Sequence, residues 1–290
     1  MSQETILDRD RSGAGDRLSP AGALVRRHDR DRFQTALFAP VAQREALFAL
    51  YAFNYEIARV REIVHEEMLG RIRLQWWREA VEAAYAGRTP RRHVIVEALS
   101  AAIARHDLTP ALFERLIETR ETDLVNAPPA TLAALDEYCE ASSGALVQLA
   151  AEALGFRDEA ASAASRGVGI AYGLAGLLRA MPYHAAEGRS YVPAEFAVDP
   201  AEYLGGRATP ALRGAVAAIA AAAERHLAAA RAVRRTIPRT ARAAFLPAAI
   251  ASRYLRMLRR AGGDPFAPAL SAPDPLQSWR LLAASLRGRF

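Results

Sequence analysis

Apolar residues recur along the chain at steps of three and four, the spacing of one helix face. Leu47, Leu50, Tyr51, Phe53 and Ile57 form one such set, and Leu69, Ile72, Trp76, Ala80 and Ala83 form a second. Both lie in a long segment, 41–86, that follows a loop near Pro40 and ends in the turn sequence Gly87-Arg88-Thr89-Pro90. A break is expected at Gly70 or just before it. Ser19-Pro20 combines an N-cap with proline at the first helical position, which predicts a helix to about Asp29. Further helices are predicted over 92–105, 109–122, 130–154, 157–184, 208–236, 239–262 and 275–288. Thr109-Pro110 and Thr131 supply starts; Gly155 and Gly262-Gly263 supply stops. Ser190-Tyr191-Val192 is too short for a strand, and no longer alternating run or fixed-period repeat is present. The pattern predicts an all-α protein with a flexible N-terminus, residues 1–18, and a single helical domain, residues 19–290.

Composition narrows the class. The chain has 290 residues, 51% hydrophobic and 24% charged, which excludes a disordered chain, a collagen-like chain and a coiled-coil rod. All 38 basic residues are arginine, and alanine makes up roughly a fifth of the chain, both strong helix formers. The lone Cys139 excludes an intrachain disulfide framework and a cysteine-based zinc site. No two of the six histidines are three to five residues apart, so a local zinc pattern is missing. No continuous apolar run is long enough to predict a transmembrane helix. The first 20 residues mix Asp8, Asp10 and Asp16 with arginines and read as neither a secretory signal nor a transit peptide. The expectation is a cytoplasmic protein of bacterial source.

Charge changes the picture further. Residues 225–290 hold thirteen arginines against Asp264 and Asp274, a sum of +11, while the rest of the chain sums to −5. A basic end on an acidic body suits an acidic partner surface. Nucleic acid is not expected, because the arginines are not interleaved with stacking aromatics. An anionic membrane or an acidic protein is; ordinary solvated helix faces are the plainer alternative.

Several segments resemble the squalene/phytoene synthase family: Arg32-Phe33 with Phe38-Ala39-Pro40, Leu50-Tyr51-Ala52-Phe53, Ile72 to Glu79 (IRLQWWRE), Ala84-Tyr85-Ala86-Gly87, Tyr138-Cys139 with Gly144, Ala171-Tyr172 through Arg179, Gly188 to Pro193 (GRSYVP) and Asp264-Pro265-Phe266. They follow the family's order over roughly residues 25–266. The resemblance implies an isoprenoid-synthase-type bundle around a central cavity, in which two aspartate-rich helices hold magnesium against a prenyl diphosphate. At the positions matching the first motif, DDxxD, stand Ala58, Arg59 and Glu62; at those matching the second, DxxED, stand Ala180, Tyr183 and His184. Only Glu62 is acidic. Phe53 to Ala58 (FNYEIA), Leu178 to His184 (LRAMPYH), Arg105 to Thr109 and Gln277 to Arg280 resemble a narrower, non-catalytic branch, the complex I assembly factor 6 proteins. That resemblance implies no metal or other cofactor, and a role in early assembly of respiratory complex I, in contact with a complex I subunit or assembly intermediate at the inner face of the plasma membrane. The alternative is a prenyltransferase that condenses prenyl diphosphates with atypical ligands and requires Mg2+.

Three groups of residues are candidates for function. Glu56, Arg59, Glu62 and Glu66 recur at steps of three and four and suit either a polar cavity wall or a solvated face. Arg179, Tyr183 and His184 form a second group: Arg179 and Tyr183 share a helix face, and Pro182 is expected to kink or end the helix. They suit an anion or lipid headgroup site with Arg179 as phosphate binder, or a structural helix end. Trp76 and Trp77 cannot both face inward, so one is expected in the core and the other half-buried or on a partner surface. Trp279 with Arg256, Arg259 and Arg260 marks a candidate partner or membrane surface, the alternative being that Trp279 packs back on the bundle. Cys139 is expected to be a small buried side chain.

Overall fold

The structure, a computed structural model, describes residues 18–64, 66–272 and 274–288. The flexible segment expected at the N-terminus lies, but for Leu18, outside the described residues. Sixteen α-helices and several short 3-10 turns account for most of the described residues, and none of these is in a strand.

Helix α1 (Pro20–His28) starts where Ser19 Oγ accepts the Gly22 N–H at 3.0 Å. Asp29 ends α1 and caps α2 (Arg30–Ala36), accepting the Arg32 N–H at 3.1 Å. Segment 41–86 divides into α3 (Val41–Ala58), α4 (Val60–Ile63) and α5 (Glu67–Tyr85). The break falls before Gly70, where Val64 and Glu66 are extended. Gly70 itself is buried inside α5, and a Cβ there would lie 2.5 Å from Leu124. The stripe expected from Glu56 to Glu66 is therefore broken: Arg59 ends α3 and Glu66 begins α5, so the four side chains do not share a face.

Helices α6 (Val94–His106) and α7 (Pro110–Thr122) follow. The segment expected as one helix over 130–154 is α8 (Leu132–Cys139) and α9 (Ala145–Ala153), joined by a π turn, Glu140–Gly144. The helix expected over 157–184 is α10 (Glu159–Arg179) and α11 (Met181–Ala186). The backbone turns at Ala180, and Pro182 sits in the first turn of α11, where its missing N–H costs nothing. Beyond them lie α12 (Pro200–Leu204), α13 (Pro210–Ala232), α14 (Arg242–Phe245), α15 (Pro247–Arg260) and α16 (Gln277–Arg287). The pattern did not predict α2 or α12; each is short and relies on an aspartate cap, Asp29 or Asp199.

Helix α10 is the axis of the bundle and packs against α13, α15, α9 and the π turn. Small residues set that packing. A Cβ on Gly169 would lie 2.2 Å from Gly144 Cα, and one on Gly167 would lie 2.7 Å from the His226 carbonyl. Around α10 runs a contiguous apolar core in which Phe53, Phe113 and Phe245 are fully buried. Between α1–α3 on one side and α7, α8 and α10 on the other, a polar recess of about 310 Å³ remains.

Candidate functional site

The two segments expected to face each other do so at the end of α4. Glu62 there lies across from Tyr183 of α11, and desolvation first, then the Glu62 carboxylate, raise the phenol above its usual pKa. Arg61, Glu187 and Arg189 line the same recess, about 260 Å³ in volume.

Beside it lies a network whose centre is Asp123, at the C-terminus of α7. Asp123 Oδ1 accepts Tyr138 Oη at 2.9 Å and Tyr191 Oη at 2.8 Å, and Oδ2 accepts Arg120 Nη1 at 3.0 Å. Arg120 also donates to Tyr138 Oη at 3.0 Å and to Asn54 Oδ1 at 3.5 Å. Arg61 donates to Tyr191 Oη, and Arg189 Nη1 donates to the Asp123 carbonyl at 2.9 Å. Burial and the Asp123 carboxylate push Tyr191 up to about 12 and hold Tyr138 well above the phenol range. Both tyrosines are therefore donors to the carboxylate. His184 stands 4.9 Å from the Tyr191 ring, and burial, then Arg61, lower its pKa to about 4. It is a neutral imidazole at pH 7. A cavity of about 410 Å³ opens on the other side of Asp123 and Tyr191, between α7 and α8.

The central recess has the same self-paired character. Arg32 lies over the Tyr172 ring at 4.9 Å and pairs with Asp29 at 2.7 Å; Arg120 pairs with Asp123. Arg179, on the wall of that recess, pairs with Asp31 at 2.7 Å. Asp31 also accepts Gln277 Nε2 at 2.7 Å. Burial opposes ionisation of Asp31, but Arg179 and the Gln277 hydrogen bond outweigh it and hold its pKa below the usual carboxylate value. Arg179 thus ties α10 to α2 and α16.

The structure separates several residues that sequence spacing grouped. Arg179 and Tyr183 fall on different helices, so they do not form one face. Glu56 pairs with Arg59 at 3.6 Å, and Arg59 lies over Tyr55 at 5.4 Å. Trp77 is buried, while Trp76 is half-buried, edge-on to Trp77 and His93 and under Arg91. Cys139 is buried. Trp279 is 69% exposed rather than packed on the bundle. Arg256, Arg259 and Arg260 are exposed on α15, and Arg259 reaches Glu224 of α13 at 2.6 Å. Sequence reading did not single out Asp123, Arg61 or Arg120. Tyr138 and Tyr191 were inside noticed motifs, and two tyrosines brought to one point were the available signal for a shared acceptor.

The family profile of squalene/phytoene synthases matches residues 25–283. The chain belongs to the squalene/phytoene synthase family. Two curated relatives, from Mus musculus and Homo sapiens, are named NADH dehydrogenase (ubiquinone) complex I, assembly factor 6. The mouse protein is 32% identical over 92% of this chain and 81% of its own length. The human one is 31% identical over 89% and 80%. Among solved structures, squalene synthase HpnC from Alicyclobacillus acidocaldarius superposes with a TM-score of 0.75 at 25% identity, covering 84% of this chain and 94% of that one.

The family's magnesium–diphosphate chemistry needs oxygen ligands free to coordinate. Ala58 and Ala180 offer no side-chain ligand atom, Arg59 is a cation, and Glu62 is the one carboxylate among these positions. Asp123 receives three donors, and the guanidinium of Arg61 stands one tyrosine away. Among the described residues no three His, Cys, Asp or Glu side chains come together as a metal site. This donor set does not fit a magnesium–diphosphate cluster. The squalene/phytoene synthase fold is kept, and Arg32, Arg120 and Arg179 on its polar wall each pair with an aspartate of the chain.

Proposed function

We propose that this chain is a non-catalytic member of the squalene/phytoene synthase family that acts in early assembly of respiratory complex I, in contact with a complex I subunit or assembly intermediate. The observation that carries the non-catalytic reading is the Asp123 network, in which arginine and tyrosine donors satisfy the carboxylate. The assembly reading is supported by relatives of that name matched over nine-tenths of the chain. No cofactor is needed for such a role: the bundle serves as a rigid body that holds a partner. We place it at the cytoplasmic, inner face of the plasma membrane. No helix among the described residues is long and apolar enough to cross a membrane.

Deleting the gene and measuring assembled complex I by native gel and NADH:ubiquinone activity tests this. Loss of the assembled complex, restored by the wild-type gene and by a Glu62→Gln gene, is expected. Normal complex I in the deletion strain overturns the assembly reading.

A further inference from the structure

Helix α16 is attached to the bundle by one side and shows an unusual other side. Leu281 is buried, and polar latches hold the inner face: Gln277 to Asp31 at 2.7 Å, and Arg242 to the Ser285 carbonyl at 2.8 Å. Turning 100° per residue, Leu276, Trp279, Ala283 and Leu286 fall together on the outer face. Leu276 is 52%, Trp279 69% and Leu286 72% exposed. A helix whose solvent side is its apolar side has the form of an interfacial helix, with tryptophan at headgroup depth.

The charge around this face has one sign. Helix α16 contains no acid; Arg280 and Arg287 border the apolar arc. The nearby Asp274 is shared by Arg253 of α15 at 2.8 Å and Arg280 at 2.7 Å, so one carboxylate meets two cations. Arg253, Arg256 and Arg260 recur at steps of three and four and share one face of α15, with Arg253 at the start of α16. Farther along, Arg256 and Arg234 bear on Arg231, whose pKa is lowered by burial and then by those two like charges. A protein partner matched to an apolar stripe needs no such excess. An anionic bilayer supplies both halves, hydrocarbon for the stripe and phosphates for the guanidiniums.

We propose that α16 is the membrane-docking element of this protein, lying in the plane of an anionic lipid surface with Trp279 and Leu286 below the headgroups and the arginines of α15 and α16 on the phosphates. The proposal rests on the membrane placement given above and names the surface responsible.

The test is flotation of the full chain with vesicles of phosphatidylcholine alone or with roughly one-third phosphatidylglycerol. Wild type floats with the anionic vesicles and less with neutral ones, and added salt weakens binding. Trp279→Ser/Leu286→Ser lowers binding to the anionic vesicles by about tenfold. So does Arg256→Glu/Arg260→Glu. Because all four side chains are exposed, melting temperatures stay at the wild-type value. Wild type that fails to float, or a Trp279→Ser/Leu286→Ser variant that floats like wild type, overturns the proposal. If wild type does not float but that variant abolishes complex I assembly, the face is a protein docking surface and the lipid proposal falls while the assembly reading stands. If the variant loses flotation while the deletion strain keeps normal complex I, the membrane surface stands and the assembly reading falls.

Discussion

His184 shows how one side chain reads its surroundings. Its position matches the last residue of a metal-binding motif in the family, yet here the ring is 7% exposed with Arg61 and Arg189 nearby, and only Asp123 opposes them. Burial and Arg61 lower its pKa to about 4, from about 6.5 for a free imidazole. The unfolded chain therefore takes up a proton between pH 6.5 and pH 4 that the folded chain refuses. Stability from this residue is fully present above pH 6.5 and is lost as pH falls towards 4, on the order of 2–3 kcal/mol across that window. Melting temperatures recorded from pH 7 to pH 4 are expected to fall more steeply for wild type than for His184→Gln, which has no proton to gain. Parallel slopes for the two proteins would remove His184 as a cause.

At the scale of elements, the bundle depends on how closely α10 approaches the π turn. Gly169 faces Gly144 across that contact, and a methyl group there meets backbone that has nowhere to move. Gly176, one to two turns further along the same helix, has open space around its Cα. Gly169→Ala is expected to cost about 1–3 kcal/mol by overpacking, read as a melting temperature lower by several degrees. Gly176→Ala is expected to be neutral or to stabilise slightly, since alanine is the better helix former. Equal effects at the two positions, measured by thermal unfolding, would show that the close approach of the two backbones is unimportant. The same scale explains the break between α10 and α11: Pro182 cannot continue α10 but suits the first turn of a new helix. That break separates Arg179 from Tyr183, leaving Arg179 with Asp31 and Tyr183 with Glu62.

For the whole molecule, the family's fold is kept while most acidic positions of its motifs are not. The bundle superposes on a squalene synthase, while five of the six positions matching the acidic motifs carry alanine, arginine, tyrosine or histidine, and only Glu62 is acidic. Purified protein is expected to show no shift in melting temperature with Mg2+ and farnesyl diphosphate together, and no Mg2+-dependent release of diphosphate. Release of diphosphate that requires Mg2+ would establish the prenyltransferase alternative and remove the non-catalytic reading. Charge is also organised at this scale: Asp264 and Asp274, the two acids of residues 225–290, pair with Arg213, Arg253 and Arg280, while Arg256, Arg259 and Arg260 are exposed.

The sequence by itself determined the helical class, most helix positions and the loss of the acidic motifs. These depend on local facts: three- and four-residue spacing, caps, proline placement and residue type. It singled out Glu62, Tyr183 and His184 as candidates, but not the Asp123 network beside them. Asp123, Tyr138 and Tyr191 are separated by up to 68 residues and form hydrogen bonds only when α7, α8 and the segment after α11 meet. Spacing along one helix also cannot anticipate a turn such as those at Arg59 and Ala180, which reassign faces. Likewise, the pattern of α16 shows an apolar stripe, but only packing decides that Leu281 turns inward while Trp279 and Leu286 remain in solvent. Local propensity fixes where a helix runs; which of its faces is left uncovered depends on contacts between residues far apart in the chain.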